Sequence, residues 1–243
     1  MNLIDRYFEA TQAVIDKVKE TQRENIDKAA GILANCVARG GAIHIYDTGH
    51  MLDSELIGRA GGLFLMKPLR YSLKVDNPVR QREGKGFDVS REGLAKYVLG
   101  ASNMRPGDVL VIGSVSGKRP EVVDLALTAK DMGITVVAMT SISYSSFLNS
   151  EHSSGKRLFE VADLVLDNCA PIGDSMVEVE GLEVPVCPAS GTTACLIMWA
   201  VTAGMIEKLL AKGIKPSVYK SINYPGEAEH NKKMAETYAQ KGY

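Results

Sequence analysis

The chain has 243 residues, with 28 Lys and Arg against 29 Asp and Glu and a net charge of −1. That balance excludes a strongly basic nucleic-acid surface, and the length suits one large domain or two small ones. The four cysteines form no C-x-x-C pair and there are only four histidines, so a zinc-type ligand spacing is absent. No metal and no cofactor is expected, and the thiols are read as free and mostly buried.

In chain order, residues 2–38 are predicted helical. Ile26, Ala29, Ala30, Leu33 and Val37 fall on one amphipathic stripe, and Gly40-Gly41 ends it. The opening segment is charged throughout and lacks the apolar core of a secretory signal. No apolar run approaches the ~20 residues of a membrane span, so a cytoplasmic protein, with neither membrane nor nucleic-acid partner, is expected.

A short strand follows at 42–46, then a helical segment to about Arg59 and a second strand at 61–66. Residues 67–90 read as an irregular excursion, and a helix is placed at about 90–101. Residues 106–113, "PGDVLVIG", give a turn and a continuous apolar strand. The next helix stops at Gly133, and 134–140 is another strand. Residues 141–157 read as a serine-rich loop and 162–167 as a strand. A loop or hairpin fills 168–189, and the most apolar helix begins at Ser190. A turn at Pro225-Gly226 and a polar helix close the chain. Strands alternating with helices predict an α/β fold whose parallel sheet is covered on both faces. No composition break divides residues 1–243 into two domains.

In such sheets ligands sit beyond the carboxyl ends of the strands, and three strand-to-helix or helix-opening segments are unusual there. In Ser114-Val115-Ser116-Gly117-Lys118-Arg119, a glycine lets backbone N–H groups converge, hydroxyls add donors and a helix contributes its positive end. A capping serine and a glycine turn would read the same way. Asp47-Thr48-Gly49-His50 follows the first strand. Thr48 suits a phosphate or a cap, whereas Asp47 suits a sugar hydroxyl and would repel a nearby phosphate. Ser190-Gly191-Thr192-Thr193 opens the apolar helix with three hydroxyls, more than capping needs. There is no G-x-x-x-x-G-K-[ST] nucleotide loop. "GSVSG" puts Val115 where an esterase elbow needs its nucleophile.

The stretch "GDVLVIGSVSGKRPEVVDLALTAKDMGITVVAMTS" resembles the central segment of SIS (sugar isomerase) domains. "ELIGRAGGL", "HSSGKRLFEVADLVLDN", "PIGDS" and "SINYPGEAEHN" extend the likeness over nearly the whole chain, to an uncharacterised bacterial branch similar to phosphoheptose isomerase. The resemblance implies a three-layer αβα sandwich with a five-stranded parallel, flavodoxin-like sheet, a single SIS domain with N-terminal helices and a C-terminal helical tail, and a homodimer or homotetramer. It implies a sugar-phosphate ligand held by Thr48, Gly49, Ser114, Ser116, Gly117, Ser190 and Thr192, and Lys118 and Arg119 are read as basic groups that compensate for the departures of the first loop. The first loop departs from the family's G-x-G-x-S. Asp47 replaces the first glycine and Met51 the serine, so part of the usual anion cradle is missing.

Aldose–ketose isomerisation needs a base near the carbon and a proton donor near the carbonyl. Glu55 as base and His152 as acid or base is the leading arrangement, with His50 as an alternative proton donor. His44, inside the first strand, reads as a core residue, and His230 as exposed. The expected function is a phosphosugar isomerase. The alternatives are a non-catalytic sugar-phosphate-binding or regulatory protein, or a lyase or etherase acting on an amino-sugar phosphate.

Overall fold

The computed structural model describes residues 2–49, 51–76, 78–80, 83–84 and 90–243. Its centre is a five-stranded parallel sheet in the order β2-β1-β3-β4-β5. These strands are β1 (Ile43–Asp47), β2 (Met66–Pro68), β3 (Val109–Gly113), β4 (Thr135–Thr140) and β5 (Leu164–Asp167). The central strand β3 is buried at every position, as expected of a strand covered on both faces.

Alternate side chains of the strands feed two apolar layers, which makes the fold a three-layer αβα sandwich. On one face Ile43, Ile45, Val109, Val111, Val137 and Met139 pack against α1 (Leu3–Ala38), α2 (Asp53–Leu56) and α7 (Ser190–Ala211). On the other, Leu110, Ile112, Val136 and Ala138 meet α3 (Leu94–Ala101), α4 (Pro120–Asp131) and α6 (Leu158–Val161). Helix α5 (Ile142–Phe147), the antiparallel hairpin β6 (Ser175–Val177) and β7 (Val186–Pro188), and α8 (Glu227–Lys241) complete the chain.

Several elements differ from the sequence expectation. The predicted strand at 61–66 begins only at Met66. Leu63, Phe64 and Leu65 are buried, but their backbone pairs with the tail. Leu63 bridges Val218, Phe64 N–H donates to Ser217 O at 3.0 Å, and the Phe64 ring stacks on Tyr219. The helix expected to reach Arg59 stops at Leu56, because Ile57 is extended and Gly58 has φ +68°. The N-terminal region is one continuous 36-residue helix. The polar stretch 141–157 contains α5, capped by the Ser141 hydroxyl, which accepts the Tyr144 N–H at 3.1 Å. The region 168–189, read as a loop or hairpin, is a hairpin. Helix α7 is, by length and composition, apolar enough to cross a membrane, contrary to the expectation that no run comes near that length. Here it packs along α1 instead, burying Ala194, Ile197, Met198, Val201 and Met205.

Candidate functional site

The strand order reverses direction between β1 and β3, where ligands collect in open parallel sheets. Asp47 and Gly113 are register partners, so the loops that follow them leave the sheet at the same level. Between these loops, α5 and the turn before β6 lies a hollow of about 360 Å³, lined by Thr48, Ser114, Val115, Ser116, Arg119, Tyr144, Gly173 and Asp174. That volume is within the range of small-molecule sites.

The floor is the loop after β3. The Ser114 N–H donates to Met139 O at 3.0 Å and the Gly117 N–H to Ser114 Oγ at 3.3 Å, which folds the loop back on itself. Gly117 has φ +57°, and a Cβ there would lie 2.9 Å from Leu158 Cβ, so this turn requires glycine. Among the described residues, the N–H groups of Val115, Ser116, Lys118 and Arg119 meet no acceptor. They precede the positive end of α4, whose first residue is Pro120. Arg119 brings its guanidinium, 61 % exposed, to the rim and lies 4.0 Å from Glu121. Lys118 is instead ion-paired with Glu151 and does not line the hollow.

The first loop is closed by its own carboxylate. Asp47 Oδ2 accepts the backbone N–H groups of Met51, Leu52 and Asp53 at 2.7, 2.6 and 3.3 Å. Three convergent N–H groups suit an anion, and here the anion is a side chain. Asp47 therefore fills these donors from within the chain. Thr48 Oγ1 donates to Gly113 O at 3.2 Å while lining the hollow. His50 lies outside the described residues, and Gly49, at φ +130°, is exposed beside it.

The start of α7 is closed in the same manner. Asp174 Oδ1 accepts Ser190 N–H at 2.8 Å and Ala189 N–H at 3.2 Å, and its Oδ2 accepts the Ser190 hydroxyl at 2.7 Å. Ser190 is fully buried and reaches the hollow only through Asp174, while Thr192 is exposed and off it.

The two proposed proton-transfer groups are engaged elsewhere in this chain. Glu55 accepts from Arg59 Nη1 at 2.9 Å. His152 Nδ1 accepts the Ser154 N–H at 3.0 Å and contacts the Ser154 hydroxyl at 2.8 Å, and its Nε2 lies 3.8 Å from Glu92. Glu92 is held below the usual carboxylate range, chiefly by the hydroxyl and then the N–H of Ser153. Neither Glu55 nor His152 lines the hollow. His44, expected in the core, is partly buried and pairs with Asp108 at 3.2 Å. His230 Nε2 lies 3.0 Å from Val218 O, so it is partly buried rather than exposed.

Tyr144 and Asp174 were not among the sequence candidates. Ser141 is a signal for the helix that carries Tyr144, and "PIGDS" marks the turn that carries Asp174. Asp174 adopts φ +68°, uncommon for a residue other than glycine.

The comparisons agree with this architecture. A SIS domain family model matches residues 6–141. A UPF0309 protein of Geobacillus sp. strain WCH70 is 35 % identical, covering 97 % of this chain and 96 % of its own length. Another, from Shouchella clausii, is 33 % identical over 98 % of this chain and 97 % of its own length. Among solved structures, a phosphoheptose isomerase from Francisella tularensis superposes with a TM-score of 0.52 at 14 % identity, covering 85 % of this chain and 100 % of that one. This is a likeness of fold. With the family model spanning more than half the chain and these relatives matching it end to end, the chain belongs to the SIS domain family and to the UPF0309 proteins.

Proposed function

We propose that this protein binds a phosphorylated sugar in the hollow at the ends of β1 and β3. The phosphate would rest on the loop 114–119 and the sugar would extend toward Thr48, Tyr144 and Asp174. The observation that carries this reading is the gathering of Ser114, Ser116 and Arg119 around one hollow with N–H groups that have no internal acceptor. Hydroxyls and bare amides at a helix start supply directed donors, and an arginine adds a charge-assisted, bidentate contact. The two other N–H clusters already hold Asp47 and Asp174, which leaves this loop as the place for an external anion.

The test is thermal stabilisation and calorimetry with a panel of sugar phosphates and their dephosphorylated forms, since a ligand of the native state raises its melting temperature. Ser116→Ala should weaken the phosphorylated compounds far more than the free sugars. Equal affinity of mutant and wild type would reject the loop assignment.

Isomerase activity is the finer form of the proposal, with Glu55, His152 or His50 moving the proton. Deuterium uptake from solvent at the carbon beside the carbonyl would establish it, and Glu55→Gln should abolish that exchange while binding persists. A homodimer or homotetramer would restore this chemistry if a neighbouring copy brought Glu55 to the ligand. The non-catalytic reading is favoured by the engagement of Glu55 with Arg59 and of His152 with Ser154 inside one chain. Stabilisation by ligand without isotope exchange would select it.

A further inference from the structure

We infer that Asp174 sets the specificity of the hollow, selecting a ligand with a single phosphate at one end and a neutral hydroxyl donor at the other. This inference rests on the proposed sugar-phosphate binding and adds a residue and a ligand class to it.

The hollow carries two walls of opposite character. One holds Ser114, Ser116 and Arg119, all donors toward an anion. Another is Asp174, a carboxylate that offers only acceptors when ionised. It is locked in place: its N–H donates to Pro171 O at 2.8 Å, its carbonyl and Oδ1 share the single Ala189 N–H at 2.9 and 3.2 Å, and its carboxylate also takes the N–H and hydroxyl of Ser190, so its side chain meets three donors, one of them shared. Two of those donors fall on Oδ1 and one on Oδ2. An ionised carboxylate has about four lone-pair sites, so Oδ2 retains one for a group in the hollow. A backbone held at φ +68° is a costly way to place a side chain. The same helix cap could be made by a residue facing away from the cavity.

A negative charge in the same hollow as an anion-holding loop repels a second anion. It therefore disfavours sugar bisphosphates and phosphorylated sugar acids, and it favours a monophosphate whose far end donates a hydrogen bond. Ser190 acts through Asp174 as a positioning residue: it is fully buried, and its N–H and hydroxyl orient the carboxylate.

The experiment measures binding of four probes by calorimetry: inorganic phosphate, glucose 6-phosphate, 6-phosphogluconate and fructose 1,6-bisphosphate. Wild type should prefer glucose 6-phosphate to the acid and the bisphosphate by about tenfold or more. Asp174→Asn, which keeps the shape, should weaken glucose 6-phosphate about tenfold, leave inorganic phosphate unchanged or tighter, and erase the discrimination against the acid. Ser190→Ala, which keeps the carboxylate and two of its three donors, should give the same pattern with a smaller change. It serves as the readout if the Asn variant does not fold. Wild-type affinities for all four probes in both variants would overturn the role of Asp174 and leave the phosphate loop standing. Failure of the wild type to bind either inorganic phosphate or any sugar phosphate would overturn both.

Discussion

Asp47 Oδ2 sits 2.6 Å from the backbone nitrogen of Leu52, within a cluster of N–H groups that also includes Met51 and Asp53. Its other oxygen, Oδ1, is buried and meets no partner among the described residues. The carboxylate thus organises the loop between β1 and α2 from within. Hydrogen bonds to a charged acceptor contribute about 1.5–3 kcal/mol each. Asp47→Ala, which removes three of them, should lower stability by about 2 kcal/mol or more, and Asp47→Asn by less, because the amide keeps one acceptor oxygen. Urea unfolding of the three proteins, compared at equal m-value, decides the matter. A neutral effect of Asp47→Ala would show that the loop does not depend on this carboxylate.

Arg119 and Lys118 are neighbours in sequence with different roles. The Arg119 guanidinium reaches the rim of the hollow, whereas the Lys118 ammonium is paired with Glu151. Arg119→Ala should reduce affinity for phosphorylated ligands about tenfold or more, in keeping with a charge-assisted contact. Lys118→Ala should change it less than twofold. The reverse ranking in a titration with inorganic phosphate would exclude Arg119 as the phosphate clamp.

Gly117 is the backbone pivot of the loop 114–119, where the phosphate is proposed to rest. Alanine there would adopt φ +57° and press its methyl on Leu158, which is fully buried in α6. Left-handed strain and overpacking each cost about 1–2 kcal/mol. Gly117→Ala should lower the melting temperature by roughly 5 °C or more and weaken phosphate binding with it. A variant as stable as wild type would mean the turn tolerates a side chain.

Acid sensitivity should centre on the clasp that holds α5. Arg157 donates to Glu160 through Nε and Nη2, while its Nη1 contacts the carbonyl oxygens of Ser145, Ser146 and Leu148 at the end of that helix. The Arg157 hydrogen bond holds Glu160 down to about 2, against an ordinary value near 4.3 in an unfolded chain. A depressed folded-state value stabilises the native state above the unfolded value and loses that contribution as pH falls. The stability difference between wild type and Glu160→Gln should therefore be constant above pH ~5 and vanish as pH approaches ~2. Parallel melting curves across this range would show the window. A difference that persists unchanged at pH ~2 would separate the effect from ionisation. Because α5 carries Tyr144, loosening the clasp should also weaken ligand binding.

The central βαβ unit was legible because its signals are local. An uninterrupted apolar strand, a glycine turn, a helix with proline at its first position and a glycine stop all lie between residues 106 and 140. The sites that escaped the reading depend on distant partners. Leu63, Phe64 and Leu65 have the composition of a strand, but the tail at 217–219 captures their backbone, so β2 starts later. Helix α5 is serine-rich and short, with no apolar period to announce it. It stands because Ser141 and Ser143 donate to Ala170 O across the sheet end. Asp174 lay in a segment read only as a loop or hairpin, and its place in the hollow follows from its bonds to Ala189 and Ser190, fifteen and sixteen positions onward. Ser190 was expected to face a ligand, and in this chain its hydroxyl donates to Asp174 Oδ2.

Gly113 and Asp47 face each other across adjacent strands, and a methyl on Gly113 would come within 3.1 Å of Asp47 Oδ1 and 3.2 Å of Leu52 and Met51. The acid at one position and the bare backbone at the other form one energetic unit, in which the cost of changing either depends on the state of its partner. Removing the acid takes away the nearest obstacle to a side chain at position 113, and a side chain placed there first must displace the acid from its loop.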